Sequence, residues 1–373
     1  MKTTDTVPLA NPRRDLERLE TEILDATRRV IRSGSYIGGP EVEAFENGLA
    51  ASVGTAAAAG LGSGTDALIF AMQAAGIGRG DEVIVPSHTA GPSVAAIHAL
   101  SAIPVFVDVD YETACIDASL IGAAVGPGTK AILAVHLYGH PAALDHLVRV
   151  ADAHGLLLIE DCAQAQGAMF GDKPVGSFGA LGCFSFYPTK NLGALGDGGA
   201  VTGSRERIDL VRKLRTYGWS TPQYAELPFG RCSRLDELQA AYLNIRLQGL
   251  AADVDARRRI AAIYRERMAG LPIDLPAEQP GCRHAYHLFV IKSDRRDALK
   301  AHLADAGIMT GLHYPFPAHR QPGLATNARI GSSLNVTDRL QAGILSLPMF
   351  ATMSEAEVER VVDAVGGFFR SNR

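Results

Sequence analysis

Cysteine is sparse and scattered. The chain holds five, Cys115, Cys162, Cys183, Cys232 and Cys282, and none of them forms a CxxC pair. That spacing argues against a zinc site and against a disulfide framework, and it fits a reducing compartment. Long apolar runs are missing too, so no segment reads as a membrane span, and the opening MKTTDTVPLANPRRD lacks the apolar stretch of a secretion signal. Charge of one sign is not in excess: 36 basic residues stand against 40 acidic ones, a formal net charge of −4, which gives no electrostatic reason to expect nucleic acid as a partner. Repeats and low-complexity tracts are absent. These absences lead to the expectation of a soluble cytoplasmic protein and are silent about its chemistry.

What is present is an ordinary globular balance, 47% apolar and 20% charged residues, over 373 residues. That length exceeds what one hydrophobic core usually serves and suggests a large domain with a smaller companion. Leu16, Leu19, Ile23, Ala26 and Val30 recur at helical spacing and predict a helix over 15–32, stopped by Gly34. A second helix follows Pro40, with Val42, Phe45 and Leu49 on one face. Strand-like runs at 83–86, 104–109, 131–136 and 156–160 then alternate with helical stretches at 65–75, 92–100 and 144–154. This is the pattern of an α/β fold, a mostly parallel sheet covered by helices on both faces, with ligand sites at the carboxyl ends of its strands.

After a strand at 199–202 the pattern changes to long charged helices at 205–217, 236–248 and 255–269. Beyond LPIDLPAEQPG come a strand at 286–291, a helix at 296–306 and a last helix opened by Ser354, with Glu357 completing a capping box. The domain boundary is placed near Gly249: residues 1–249 form the large domain and 250–373 a smaller α+β domain.

Three elements carry candidate chemistry. Gly60-Leu-Gly-Ser-Gly-Thr65 follows a small apolar strand and opens a helix, where backbone amides freed by glycine make an anion site. A glycine-rich turn without a ligand is the plainer alternative. Gly62-Ser-Gly64-Thr-Asp-Ala67 also fits a dinucleotide fingerprint. That fingerprint needs an acid at the end of the following strand, whereas Asp81 and Glu82 precede it, so a nicotinamide reading fails. The second element is the strand Leu156-Leu-Leu-Ile-Glu160, which delivers Asp161 to its carboxyl end. Such a carboxylate either caps a turn or pairs with a buried cation, and a protonated pyridine nitrogen is one cation that would justify it. Third, Lys190 lies between an aromatic-rich strand and a glycine-rich loop in CFSFYPTKNLGALGDGGA, with Ser185 five residues before it. A Schiff-base lysine must lose its proton, and apolar surroundings lower its pKa.

With these elements in this order, the chain resembles the DegT/DnrJ/StrS family of nucleotide-sugar aminotransferases, fold type I enzymes that depend on pyridoxal 5'-phosphate. The segments carrying the resemblance are SYIGGPEVEAFE, GSGTDAL, GDEVIVPSHT, IEDCAQAQGA, CFSFYPTKNLGALGDGGAV, SRLDELQAA and HYPFPAHRQP, which span most of the chain. The resemblance implies a large domain built on a seven-stranded sheet. It implies that Lys190 bonds the cofactor and later moves the proton, that Asp161 pairs with the pyridine nitrogen and Gln164 with the ring hydroxyl, and that Gly64, Thr65 and Ser185 hold the phosphate. The implied reaction moves an amino group from L-glutamate to a keto-sugar nucleotide, a dTDP-linked 3-keto-6-deoxyhexose first, with a 4-keto sugar or a cyclitol as alternatives. A related branch that removes a hydroxyl carries histidine at the lysine position, which Lys190 argues against. A different class of alternative is a non-catalytic regulator on the same fold.

Two positions depart from the family pattern. Ala90 stands where an aromatic residue stacks on the cofactor in the family, so either His88 is the stacking partner or the ring is less tightly sandwiched. Gly230-Arg-Cys232-Ser-Arg234 replaces GxNSR, so the contact that the family's asparagine makes with the neighbouring subunit's phosphate would be missing or would pass to Arg231. The resemblance therefore also implies a homodimer with this segment crossing the interface. In His313-Tyr314-Pro-Phe-Pro-Ala-His319 the two histidines sit six apart in a proline-rich loop, a spacing that does not suit a metal site. In the family a similar loop borders the sugar pocket, so the resemblance makes Tyr314 and His319 the substrate-side candidates, and Tyr217 with Trp219 either lines the same cleft or packs in the core.

Overall fold

The structure is a computed structural model and describes residues 6–370. Its centre is an eight-stranded sheet. The strands are β1 (Ala57–Leu61), β2 (Glu82–Pro86), β3 (Ile103–Val107), β4 (Thr129–Val135), β5 (Leu157–Asp161), β6 (Leu181–Ser185), β7 (Gly199–Gly203) and, after β8 (Phe289–Lys292) of the C-terminal region, β9 (Arg329–Ile330). Across the sheet their order is β1-β7-β6-β5-β4-β2-β3-β9. All neighbours pair in parallel except β7, which runs against both β1 and β6. The sheet therefore exceeds the expected seven strands by one. The extra strand is a two-residue piece that the C-terminal region adds beside β3, too short to show as an apolar run.

Strands β2 to β6 are apolar along nearly their whole length and buried on both faces, which is why they read as continuous runs and not as alternation. Helices Gly64–Ala74 and Gly91–Ala99 cover one face with Phe70, Met72, Val94 and Ile97. On the other face lie Phe45 and Leu49 of helix Pro40–Val53, with Leu144 and Leu147 of helix Leu144–His154. Burying one such side chain contributes roughly 1.5–3 kcal/mol. The segments SYIGGPEVEAFE and SRLDELQAA meet at this second layer. The buried carboxylate of Glu237 accepts from the amides of Gly39, Glu41 and Val42 at 2.9, 3.0 and 2.9 Å, and so caps helix Pro40–Val53 from outside its own sequence.

Three expectations need correction. The helix expected over 15–32 is two, Pro12–Glu17 and Glu20–Ser33, because its ends dock on different partners. Arg14 pairs with Glu357, whereas Ala26 and Val30 pack on Ala241. The two charged helices expected at 236–248 and 255–269 are one, Glu237–Arg267, and Gly249 lies inside it. A single glycine costs about 1 kcal/mol in a helix, and the helix-favouring residues on both sides outweigh it. Val7 pairs with Ile308 and belongs to the C-terminal hydrophobic cluster, not to the large sheet. That cluster gathers β8, which pairs antiparallel with β10 (Ile344–Leu347), and helices Arg296–Asp305 and Glu355–Arg370. The capping box is formed as read: Ser354 Oγ accepts from Glu357 N at 3.3 Å and Ser354 N donates to Glu357 at 2.8 Å. Among the described residues no helix is long and apolar enough to cross a membrane.

Candidate active site

The carboxyl ends of β1, β2, β4, β5 and β6 lie along one edge of the sheet, and a cleft of about 320 Å3 opens there. Its lining brings together Gly64 and Thr65 from the start of helix Gly64–Ala74, Ala90 after β2, Leu137 after β4, Asp161 at the end of β5 with Gln164 after it, and Ser185 at the end of β6 with Lys190 after it. Tyr314 enters from the C-terminal region. Residues from five strand ends, far apart in sequence, are thus brought around one space.

The anion end is built by close approach. Gly64 packs so tightly on Ser185 that an added Cβ would meet Ser185 Cβ at 2.5 Å, so only glycine sets the helix start against β6. Ser63 caps this helix, its Oγ accepting from Asp66 N at 3.1 Å. Gly64, Thr65 and Ser185 therefore line the cleft beside the positive end of an eleven-residue helix.

At the floor, Asp161 is buried and each of its oxygens has one donor. Ser93 Oγ donates to Oδ2 at 2.8 Å and Ala163 N to Oδ1 at 3.1 Å. Because Ser93 spends its proton on Asp161, the 3.0 Å contact between Thr89 and Ser93 has Thr89 as donor, which gives a relay Thr89→Ser93→Asp161. Burial raises the Asp161 pKa, while those two hydrogen bonds and the charge of Lys190 oppose the rise. Lys190 shows the mirror effect: burial lowers it to about 8 and the charge of Asp161 opposes the fall. The loop that presents it is rigidly held. Ala194 N donates to Phe186 O at 2.7 Å, Asn191 Nδ2 to Ala285 O at 2.9 Å, and Arg246 to Asn191 O at 3.2 Å. Gly193 is required there, since a Cβ would lie 2.4 Å from Pro188 O.

Gln164 is the junction between the strand edge and the C-terminal loop. Its Oε1 accepts from Tyr138 N at 2.7 Å and its Nε2 donates to Tyr314 Oη at 2.8 Å. Tyr314, accepting there, keeps its own proton for the cleft, and burial pushes its pKa up to about 12 against that hydrogen bond. Tyr138 holds φ at 60°, a left-handed conformation that costs a non-glycine residue roughly 1–2 kcal/mol. Its hydroxyl donates to His313 O and so accepts from His88 Nε2.

Not every sequence candidate reaches the cleft. His88 is fully buried below it, bonded to Tyr138 at 2.6 Å, and burial holds its pKa down at about 4. Ala90, two residues further along the alternating backbone, is the one that lines the wall. His319 bonds Ser87 at 2.6 Å and lies 3.5 Å from Asp338, so it anchors the 313–322 loop on the end of β2. Tyr217 is exposed and packs on Trp219 at 5.2 Å, away from the cleft lining of its own chain. Arg231 is bound to Asp66 on the outer side of helix Gly64–Ala74. Sequence reasoning missed Ser93 and Tyr138. Ser93 sits in the first turn of a helix that starts beside the cleft, a findable signal, whereas nothing in Leu-Tyr-Gly marks Tyr138.

One cluster of the described residues, His136, Glu160 and Cys162, is compact enough for a metal ion. Its carboxylate is already occupied by His136 Nε2 at 3.0 Å and by the amides of Gly176, Phe178 and Gly179 at 2.7, 2.8 and 2.7 Å. His136 Nδ1 accepts from Ala142 N, so every ligand lone pair of the pair is engaged in holding the turn after β5.

An anion cradle, a buried carboxylate and a desolvated lysine at one edge of a parallel sheet define the class of fold type I pyridoxal-phosphate enzymes. The cradle suits a phosphate, Asp161 a pyridinium and Lys190 an aldehyde, so the residues present fit the cofactor. The chain belongs to the DegT/DnrJ/EryC1/StrS aminotransferase family, whose profile matches residues 17–366. It is 44% identical over 364 residues to the dTDP-3-amino-3,4,6-trideoxy-alpha-D-glucose transaminase of Streptomyces venezuelae, covering 97% of this chain and 96% of that one. The crystal structure of S. venezuelae DesV in complex with a ketimine intermediate matches with a TM-score of 0.94 and 44% identity, over 97% of this chain and 98% of that one. NtdA of Bacillus subtilis, solved with bound cofactor PMP, matches with a TM-score of 0.87 and 30% identity, over 94% of this chain and 82% of that one. The chain is a transaminase, with pyridoxal 5'-phosphate as its cofactor.

The lowered lysine pKa has a kinetic consequence. Capture of an aldehyde needs the neutral amine, so the rate at which cofactor-free protein takes up pyridoxal phosphate should rise about tenfold per pH unit and level off near pH 8. Stopped-flow absorbance reads this directly. A rate still climbing at pH values near an ordinary lysine pKa of about 10.4 would contradict the burial of Lys190.

Proposed function

We propose that this transaminase moves the amino group of L-glutamate to the keto carbon of a nucleotide-linked sugar, a dTDP-linked 3-keto-6-deoxyhexose by preference. The observation that carries the reading is the meeting of Lys190, Asp161 and the Gln164–Tyr314 pair around one cleft. Bound there, pyridoxal phosphate supplies an electron sink for the pair of electrons left when the donor's α-proton departs. Lys190, whose pKa burial lowers to about 8 so that its neutral form is within reach near physiological pH, takes that proton and returns it on the acceptor side. Asp161 keeps a facing pyridine nitrogen protonated, and Ser93 with Ala163 N keeps the carboxylate oriented. Gln164 donates toward the ring hydroxyl, and Gly64, Thr65 and Ser185 grip the phosphate. Tyr314 offers its free proton to a sugar oxygen from the loop that His319 pins to Ser87.

The active site is shared between two copies in a cytoplasmic homodimer. Lys190 is the single cation among the residues lining the cleft, whereas a donor dicarboxylate and a sugar diphosphate both need positive partners. Exposed apolar side chains at Tyr36, Ile37, Tyr187, Leu195 and Phe229 support a second copy as the source. The large sheet supplies the cofactor side, and Tyr314 of the C-terminal region closes the sugar side.

The substrate assignment is tested by kcat/KM across 3-keto and 4-keto sugars linked to dTDP and to UDP. The dTDP-linked 3-keto sugar should lead by roughly tenfold or more. A lead for a 4-keto sugar would move the aminated carbon, and turnover of cyclitol ketones alone would replace the substrate class.

A further inference from the structure

Arg231 was expected to touch a phosphate, yet within its own chain it stands behind the phosphate cradle instead of in it. We propose that Arg231 is a positioning residue that cancels the charge of Asp66 and holds that carboxylate off the cradle, which lets the start of helix Gly64–Ala74 receive a phosphate. The inference rests on Gly64, Thr65 and Ser185 being the phosphate site.

Asp66 is the third residue of this helix, and Ser63 its cap, so the pair has the spacing of a capping box. Half of the box is made, with Ser63 Oγ accepting from Asp66 N. In the complete motif the acid reaches back to the backbone N–H of the cap residue, here Ser63. That amide adjoins the anion site, so a carboxylate folded there would stand beside the incoming phosphate and repel it. The structure shows the carboxylate turned the other way. One oxygen is bound by the Arg231 guanidinium and the other accepts from Ser233 Oγ at 2.8 Å.

Both holders are themselves fixed. The Arg231 guanidinium lies 5.0 Å from the ring centroid of Phe70, one helical turn beyond Asp66, so Asp66 and Phe70 together hold one cation along one side of the helix. Ser233 is buried, and its Oγ accepts from Gly62 N at 3.0 Å, which ties the same segment to the glycine loop. Arg231 lines a separate groove with Ile69, Gln73 and Phe229 and is not part of the cofactor cleft, so its action passes through Asp66. Its side chain is 43% exposed, so screening keeps the effect to roughly five- to tenfold in affinity.

The test measures equilibrium binding of pyridoxal phosphate and of pyridoxal, which lacks the phosphate, by absorbance. It compares wild type, Arg231→Met, Arg231→Lys, Asp66→Asn and the Asp66→Asn/Arg231→Met double variant. Arg231→Met should weaken pyridoxal phosphate roughly five- to tenfold and leave pyridoxal within about twofold. Arg231→Lys should keep most of the affinity, and adding Asp66→Asn to Arg231→Met should restore it. An unchanged Arg231→Met overturns the proposal, as does an equal loss for both ligands, the mark of a merely structural role. A loss that Asp66→Asn does not relieve also overturns it, because an arginine touching the phosphate directly would behave that way. Wild-type protein that binds pyridoxal phosphate no better than pyridoxal would instead remove the cradle on which the proposal rests, and that result appears before any variant is compared.

Discussion

Lys190→Ala protein mixed with pyridoxal phosphate should show no lysine-dependent visible absorption and should lose roughly 10⁴-fold or more in kcat, since in the proposed reaction one side chain supplies both the covalent anchor and the proton carrier. The loss should not come from unfolding. Burial pushes the Lys190 ammonium toward its neutral form, so removing it takes away a group that is poorly solvated in the fold. Thermal melts of the two cofactor-free proteins should therefore agree or favour the variant. Retention of a visible band bleached by borohydride in Lys190→Ala would mean that another amine bonds the cofactor, and the roles assigned around the cleft would then have to be redrawn.

Asp161→Asn should follow closely, with a fall of roughly 10²–10³-fold in kcat and little change in fold. The amide can still accept from Ala163 N, and the Ser93 contact can reverse its direction, so shape survives while the negative charge is lost. Without that charge nothing at the cleft floor keeps a pyridine nitrogen protonated. Asp161→Ala is the informative contrast. It orphans Ser93 Oγ and Ala163 N in a buried place, which costs about 1–3 kcal/mol for each donor, and melts should show a destabilisation absent from Asp161→Asn. Equal activity of Asp161→Asn and wild type would separate the carboxylate from the chemistry.

The contrast between these two positions and Arg231 marks what is legible in the sequence. Strand ends were legible: apolar runs buried on both faces announce β2, β4 and β5, and whatever closes them must face the ligand edge, so Asp161 follows from position, whereas Gln164 came from the family resemblance. The anion cradle was legible as a glycine-rich turn that opens a helix, whereas the close packing of Gly64 on Ser185 was not. Directions of side chains in irregular segments were not. His88 and Ala90 lie two residues apart beyond β2, and only the three-dimensional path decides that Ala90 faces the cleft while His88 bonds Tyr138 beneath it. His319 and Tyr314 share a loop, yet one anchors and the other lines. Hydrogen bonds across long sequence separations, such as Glu237 to Gly39 or Gln164 to Tyr314, leave no local pattern at all. The helix break near Leu19 and the continuity through Gly249 show the same limit for secondary structure, since tertiary docking overrode the local signal in both.

The most direct test of the central claim follows nitrogen. Wild-type protein loaded with pyridoxal phosphate would be incubated with ¹⁵N-labelled L-glutamate and a dTDP-linked 3-keto-6-deoxyhexose, and both products would be resolved by mass spectrometry. The expected result is the label in the sugar nucleotide, 2-oxoglutarate in matching amount, and neither product from Lys190→Ala. Label that remains in glutamate with every keto-sugar nucleotide offered would contradict the amino-group transfer assigned to this cleft.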